Sequence, residues 1–223
     1  MTAWSYSSIK TFDQCPKKYF HLKIVKDVKD TPGEAADYGT AVHEAAELFV
    51  KDGTPIPKKF GYMKPIVDSL VAIEGDKHTE LKLGVRKTPT GYAPCSFFDK
   101  DVWWRGIVDL VIINGNTAHM VDYKTGKNAK YADPKQLDLM AGALFVHHPD
   151  LKTVKSALAY VVSNEFIKKV HVREKMDTYL TVFADELGRL EHAQLSGVWN
   201  PKSSPLCGWC PVVECEHHRP RRR

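Results

Sequence analysis

No stretch of this chain approaches the ~18 consecutive apolar residues of a membrane-spanning helix, and it contains no internal repeat or long low-complexity segment. A helical membrane protein and a repeat array are therefore poor readings, and a soluble protein is expected. Cysteine is scarce: five residues, an odd number. The start, Met1-Thr2-Ala3-Trp4-Ser5, lacks the basic and apolar segments of a secretory signal, which favours a cytoplasmic, reducing setting over a disulfide framework. A strong charge imbalance is missing too. Of the net +5, four charges sit on Arg219, Arg221, Arg222 and Arg223, leaving a single net positive charge on the rest. Global charge thus says little about nucleic acid. What is present is a 43% hydrophobic chain of 223 residues, enough to bury the core of one domain over residues 1–223, with 219–223 as a basic tail.

The most informative segment is Gly106-Ile-Val-Asp-Leu-Val-Ile-Ile113, then Asn114-Gly115-Asn116, then Thr117-Ala-His-Met-Val-Asp-Tyr-Lys124. Two apolar, β-branched runs around a turn signal predict a hairpin. Alternation puts Ile107, Asp109, Val111 and Ile113 on one face, as it does Met120, Asp122 and Lys124. An Asn114-Gly115 loop would set Asp109 opposite Met120, and a Gly115-Asn116 loop would set it opposite Asp122. Val108, Leu110 and Ile112 make the other face apolar too, so this strand should be covered on both sides. Two buried carboxylates there repel each other and resist ionisation unless a cation intervenes. A divalent metal with oxygen ligands removes that conflict, and Lys124 adds a second positive charge.

Asp109 followed by Asp122-Tyr123-Lys124 resembles the signature of the PD-(D/E)XK nuclease superfamily, and Gly106-Ile-Val-Asp109 is similar to its RecB-type branch. The resemblance implies an α/β fold, a restriction-endonuclease-like core whose mixed central sheet is flanked by helices, and a metal-dependent DNA exonuclease acting on DNA ends or single strands in a bacterial or phage-infected cell. It implies that Asp109, Asp122 and His43, with the Tyr123 backbone carbonyl, bind Mg2+ or Mn2+. Lys124 would position or deprotonate the attacking water. His43 belongs to Tyr38-Gly39-Thr40-Ala-Val-His43-Glu44, where Thr40 is the expected helix N-cap and His43 lies in the first turn. In RecB-like nucleases such a Gly-x-x-x-His histidine ligates the metal. Asp133-Pro134-Lys135-Gln136 opens another helix, and Gln136 matches a family glutamine that orients substrate near the lysine. The tyrosine that should follow it is absent: Met140 stands four residues on, with Tyr131 a substitute from the preceding loop. Glu80, opening a strand before the core, is an accessory carboxylate or a solvent-facing one.

Cys207-Gly-Trp-Cys210-Pro-Val-Val-Glu-Cys215 places three thiols within nine residues after a Pro/Ser-rich loop, and Cys15 lies near the other end of the chain. Metal ligation is the expected use, with Cys95 an ordinary core residue. The pattern is similar to AddB-type and CRISPR-associated RecB-like nucleases, in which one N-terminal and three C-terminal cysteines hold a [4Fe–4S] cluster. By that resemblance Cys15, Cys207, Cys210 and Cys215 would tie Cys15 to the 200–218 segment and join the termini. The last gap, four residues, is one shorter than the commonest spacing. Zn2+ is the alternative, with His217 or His218 replacing Cys15.

The remaining pattern predicts helices over Ser8 to Val25, Thr40 to Lys51, Tyr62 to Ile73 and Glu174 to Ser196. Strands are expected near Glu80 to Lys87, Tyr92 to Phe98, Val154 to Ser163 and Phe166 to Val172. Lys17 and Lys18, and Lys124, Lys127, Lys130 and Lys135, suit phosphate contacts. Two rival readings share this core: a catalytically inactive, zinc-stabilised nucleic-acid-binding module, and a site-specific endonuclease.

Overall fold

Ser5 opens the first helix through a reciprocal cap: its Oγ accepts from Ser8 N (3.2 Å), and Ser5 N donates to Ser8 Oγ (2.9 Å). This helix, α1 (Tyr6–Gln14), stops at Cys15, whose extended backbone (φ −163°, ψ 111°) precedes Pro16. Proline disfavours a helical residue before it but suits the first position of a new helix, so α2 (Pro16–Tyr19) restarts at once and continues as a π-helical stretch, Phe20–Val25. The single helix expected over Ser8 to Val25 is thus broken at a cysteine. The structure is a computed structural model that describes residues 3–30, 33–130 and 132–219. Tyr131 and Arg221 to Arg223, and with them most of the expected basic tail, lie outside the described residues.

The chain divides into two compact units, Gly33–Val182 and a unit built from both chain ends, Met1–Pro32 with Phe183–Arg223. The central unit holds helices α3 (Glu34–Asp52), α4 (Lys64–Val71), α5 (Lys135–His147) and α6 (Met176–Leu180). Its six strands are β1 (Asp76–Thr88), β2 (Gly91–Cys95), β3 (Trp104–Asn114), β4 (Thr117–Lys124), β5 (Thr153–Tyr160) and β6 (Glu165–Val172). They form one sheet in the order β2-β1-β3-β4-β5-β6, with β4 and β5 parallel and every other pair antiparallel. A parallel pair needs a crossover, and α5 supplies it. The sheet is therefore mixed and flanked by helices, as the α/β expectation holds.

The hairpin takes the Gly115-Asn116 register: Asn114 pairs Thr117 and Leu110 pairs Val121, and Gly115 provides the left-handed turn conformation (φ 57°). Leu110, Ile112, Val121 and Tyr123 pack with Val42, Ala45 and Ala46 of α3 and with Ile66 and Val67 of α4. Helix α5 is buried along nearly its whole length. Inside the sheet, His171 is fully buried and its Nε2 lies 2.9 Å from Asp138 Oδ1, so α5 is pinned to β6 by a satisfied polar contact.

Helix α7 (Ala184–Ser196) belongs to the terminal unit. It is separate from α6, so the long helix expected from Glu174 is split. Thr181 Oγ1 bonds back to the Asp177 carbonyl (2.9 Å) at the break, a local bond that competes with helix continuation. Within this unit the two chain ends are joined by protein contacts. Trp4 and Tyr6 meet Phe183 edge-on, Trp199 stacks on Tyr19, and Asp13 and Lys17 pair with Arg189 and Glu216 (2.9 and 2.8 Å). Exposed ion pairs contribute little, so the aromatic burial carries most of this junction.

Candidate active site

The β3–β4 ladder ends at Leu110–Val121, although β4 itself runs on to Lys124 beside β5. Beyond that point Tyr123 N–H is donated to Asp109 Oδ2 at 2.6 Å. A carboxylate thus takes the place of a strand carbonyl, which satisfies a backbone donor and fixes the acid at the fork between strands. The β1–β3 ladder is interrupted at the same place: Thr79 pairs Leu110 and Leu81 pairs Val108, with Glu80 and Asp109 between them unpaired. Glu80 has φ +49°, a left-handed conformation rare for a side-chain-bearing residue.

This irregularity corrects the expected alternation. Ile107 and Asp109 line an open cleft with Gly39, Thr40 and His43 of α3, while Leu110, the next residue, packs into the α3–α4 core. Consecutive residues of a regular strand cannot share a side, so the faces of β3 switch at Asp109. Glu80 is likewise not at a strand start but inside β1.

Helix α3 begins six residues earlier than expected, with Gly33 as N-cap, so Thr40 lies within it, its Oγ1 donating to the Ala36 carbonyl. His43 is consequently mid-helix. Gly39, one turn before it, lets α3 approach Thr125, whose Oγ1 would sit 3.4 Å from a Cβ there. His43 Nδ1 lies 3.3 Å from Asp109 Oδ1. Among the described residues, His43, Glu80 and Asp109 form the one set of three such side chains whose ligand atoms all lie within 4.8 Å of one another. Glu44 and Glu47 also line the cleft and were not singled out from sequence. The signal was present, since Glu47 is one helical turn after His43.

Asp122 belongs to a second group. It is 5% exposed, with Oδ2 2.6 Å from Lys124 Nζ and Oδ1 accepting from Gln136 Nε2 at 2.6 Å. Gln136 therefore holds a carboxylate, and its amide also approaches Sδ of Met140 (3.9 Å), which stands in place of the expected tyrosine. The two groups share one field. Burial opposes the charged form of His43, but the bond and charge of Asp109 and the charge of Asp122 outweigh it, so its pKa rises above the ordinary histidine value. Burial also pushes the Asp122 carboxyl up; Lys124 pulls it back and Asp109 adds to the rise, leaving it elevated. Glu80 is raised by burial and then by the charges of Asp109 and Glu47. The cleft thus carries an excess of negative charge that a cation would relieve.

In the terminal unit, Cys15, Cys207, Cys210 and Cys215 line one cavity of about 40 Å3 together with His217 and His218. Backbone N–H groups of Lys18 and Lys202 point at Cys15 Sγ (3.5 and 3.4 Å), and that of Ser204 at Cys207 Sγ (3.3 Å). Burial raises the Cys215 thiol. Cys95 belongs to β2 of the central unit and is half-buried, so it is not the core residue expected.

The sequence matches the PD-(D/E)XK nuclease superfamily over residues 3–72 and 70–215, and the chain belongs to that superfamily. The crystal structure of SSO0001 is similar in fold at 12% identity, with a TM-score of 0.51 over 98% of this chain and 88% of that one. A crystal structure named "Putative exonuclease", from Eubacterium rectale, has a TM-score of 0.48 at 14% identity over 98% and 89% of the two chains. No curated protein matches the sequence. Among the described residues no helix is long and apolar enough to cross a membrane.

A left-handed glutamate costs about 1–2 kcal/mol relative to the usual backbone, and glycine returns roughly half of that in chain entropy. Glu80→Gly should therefore raise the stability of the metal-free protein by about 1 kcal/mol in urea denaturation. A lower unfolding midpoint would show that Glu80 is not strained.

Proposed function

We propose that this nuclease is a metal-dependent DNA exonuclease of the RecB-like branch, acting on DNA ends or single strands in the cytoplasm of a bacterial or phage-infected cell. The observation that carries the reading is the meeting of three nitrogen and oxygen donors, His43, Glu80 and Asp109, with the Asp122–Lys124 pair at one fork in the sheet.

This donor set fits a hard divalent cation, because it is anionic, rich in carboxylate and already close-set, and ligation would offset the burial and the carboxylate repulsion that together raise Glu80 and Asp122. His43, Asp109 and Asp122, with the Tyr123 carbonyl, would hold Mg2+ or Mn2+, and Glu80 joins them rather than facing solvent. A bound metal supplies Lewis acidity and a water of lowered pKa. Lys124 would stand beside the reacting phosphate, where a cationic side chain offsets charge that grows in the transition state. Gln136 is a positioning residue, because its amide orients Asp122 and leaves the other oxygen toward Lys124.

For the terminal unit we propose a [4Fe–4S] cluster on Cys15, Cys207, Cys210 and Cys215. Its support is that all four line one cavity and that backbone N–H groups already point at two of the sulfurs. Zn2+ on Cys207, Cys210 and Cys215 with His217 or His218 is the alternative, because both histidines line the same cavity.

Asp109→Ala or Asp122→Ala should abolish Mn2+-dependent cleavage of end-labelled DNA yet retain DNA binding, and Lys124→Ala should lose ~100-fold or more in turnover. Wild-type rates in either aspartate variant would sink the assignment. Metal binding must expel the proton that His43 holds above the ordinary histidine pKa. Mn2+ affinity should therefore fall as pH drops through that raised value, with proton release detectable by calorimetry in two buffers; a pH-independent affinity excludes His43 as a ligand. Anaerobically purified protein should contain iron and acid-labile sulfide, and Cys15→Ser should remove both. Colourless protein with stoichiometric zinc that is unaffected by Cys15→Ser would retire the cluster and leave the cleft untouched.

A further inference from the structure

Beyond Asp109, β3 carries the cleft surface outward. Ile107 borders the cleft and Arg105 follows two residues along on the same face, about 13 Å from Asp109 at the strand rise. Lys82 pairs with Ile107 across the ladder, and Gly84 pairs with Arg105, so both extend that face. A Cβ on Gly84 would lie 2.7 Å from the Ser96 carbonyl; glycine there allows the Ser96–Asp99 turn to cross directly over it. The turn is well defined, with Asp99 N donating to the Ser96 carbonyl (3.0 Å) and Asp101 N to Asp99 Oδ1 (2.9 Å).

That turn presents two adjacent phenyl rings, Phe97 and Phe98, whose centroids are 5.0 Å apart. The Arg105 guanidinium lies 5.3 Å from the Phe97 ring and the Lys82 ammonium 5.8 Å from the Phe98 ring. Phe98 is 74% exposed, an unusual position for a large apolar ring on a fixed turn. An exposed aromatic face flanked by cations, continuous with a phosphodiester-cleaving cleft, has the composition of a single-strand track: the ring takes an unpaired base and the cations take phosphates. Duplex DNA offers no such base, because its bases are already stacked on one another.

Resting on the nuclease reading above, we propose that Phe98, supported by Lys82 and Arg105, stacks a base of single-stranded DNA next to the metal donors and so selects single strands over duplex. The substrate approaches along β3, with its scissile phosphate at Asp109 and a neighbouring nucleotide on the Phe98 ring. Phe98 is a specificity residue and takes no part in the chemistry.

The test measures binding and chemistry separately. In the Asp109→Asn background, anisotropy of a fluorescein-labelled thymidine dodecamer and of a duplex of equal length reads affinity without cleavage. Adding Phe98→Ala should weaken the single strand by ~10-fold and leave the duplex nearly unchanged, while Phe98→Tyr retains binding. Lys82→Ala with Arg105→Ala should weaken the single strand and flatten its salt dependence. In the otherwise unaltered protein, Phe98→Ala should hydrolyse thymidine 5′-monophosphate p-nitrophenyl ester with Mn2+ at the normal rate, because that substrate ends before the ring. Unchanged single-strand affinity in Phe98→Ala, or equal losses for both DNAs, overturns the proposal. If neither DNA nor the ester is cut but Phe98→Ala still weakens the single strand selectively, the stacking site stands and the nuclease reading fails.

Discussion

The site depends on one hydrogen bond, Tyr123 N–H to the Asp109 carboxylate, at the point where β3 and β4 part. Two strands can separate inside a protein only if the freed backbone groups find new partners, since an orphaned buried donor costs about 1–3 kcal/mol. The aspartate provides that partner from its own side chain. The same bond that closes the sheet's hydrogen-bond account therefore delivers an acid to the fork, and the unpaired Glu80 opposite it turns a second acid the same way.

Electrostatics explains why the arrangement asks for a cation. Two carboxyl groups and an imidazole, those of Glu80, Asp109 and His43, meet at a cleft that Glu44 and Glu47 also line, and Lys124 is committed to Asp122. Burial raises Glu80 and Asp122 first and the neighbouring carboxylates add to it, whereas for His43 burial works the other way and the negative charge of Asp109 and Asp122 outweighs it. Protons partly relieve that charge; a divalent ion would relieve it better, and would hold the groups in one geometry. Gln136 matters here because it adds a donor to Asp122 without adding charge. The strain at Glu80 and the repulsion around it are the kind of stored cost that persists only when the surrounding scaffold over-determines it.

The terminal unit is organised differently, by aromatic burial rather than by a sheet. Trp199 against Tyr19 and Trp4 with Tyr6 against Phe183 bind the two chain ends, so the cysteine cavity sits in a unit whose parts are already held together. A cluster there would reinforce an existing junction, not create it.

The hairpin was legible in the sequence because two β-branched runs around Asn114-Gly115-Asn116 are a local signal that survives folding. The sequence left two registers open, and Gly115 with Asn116 in the turn resolved them only when the strands had neighbours to pair with. The face switch at Asp109, the left-handed Glu80 and the engagement of Gln136 with Asp122 were invisible, because each is a contact between segments far apart in the chain. Thr40 shows the limit most simply: it has the chemistry of a helix cap, yet packing of α3 against the sheet carries the helix a full turn and more ahead of it. Local chemistry determined which groups were available, and tertiary packing decided which of them meet, since a strand's alternation holds only until another segment offers its backbone a better partner.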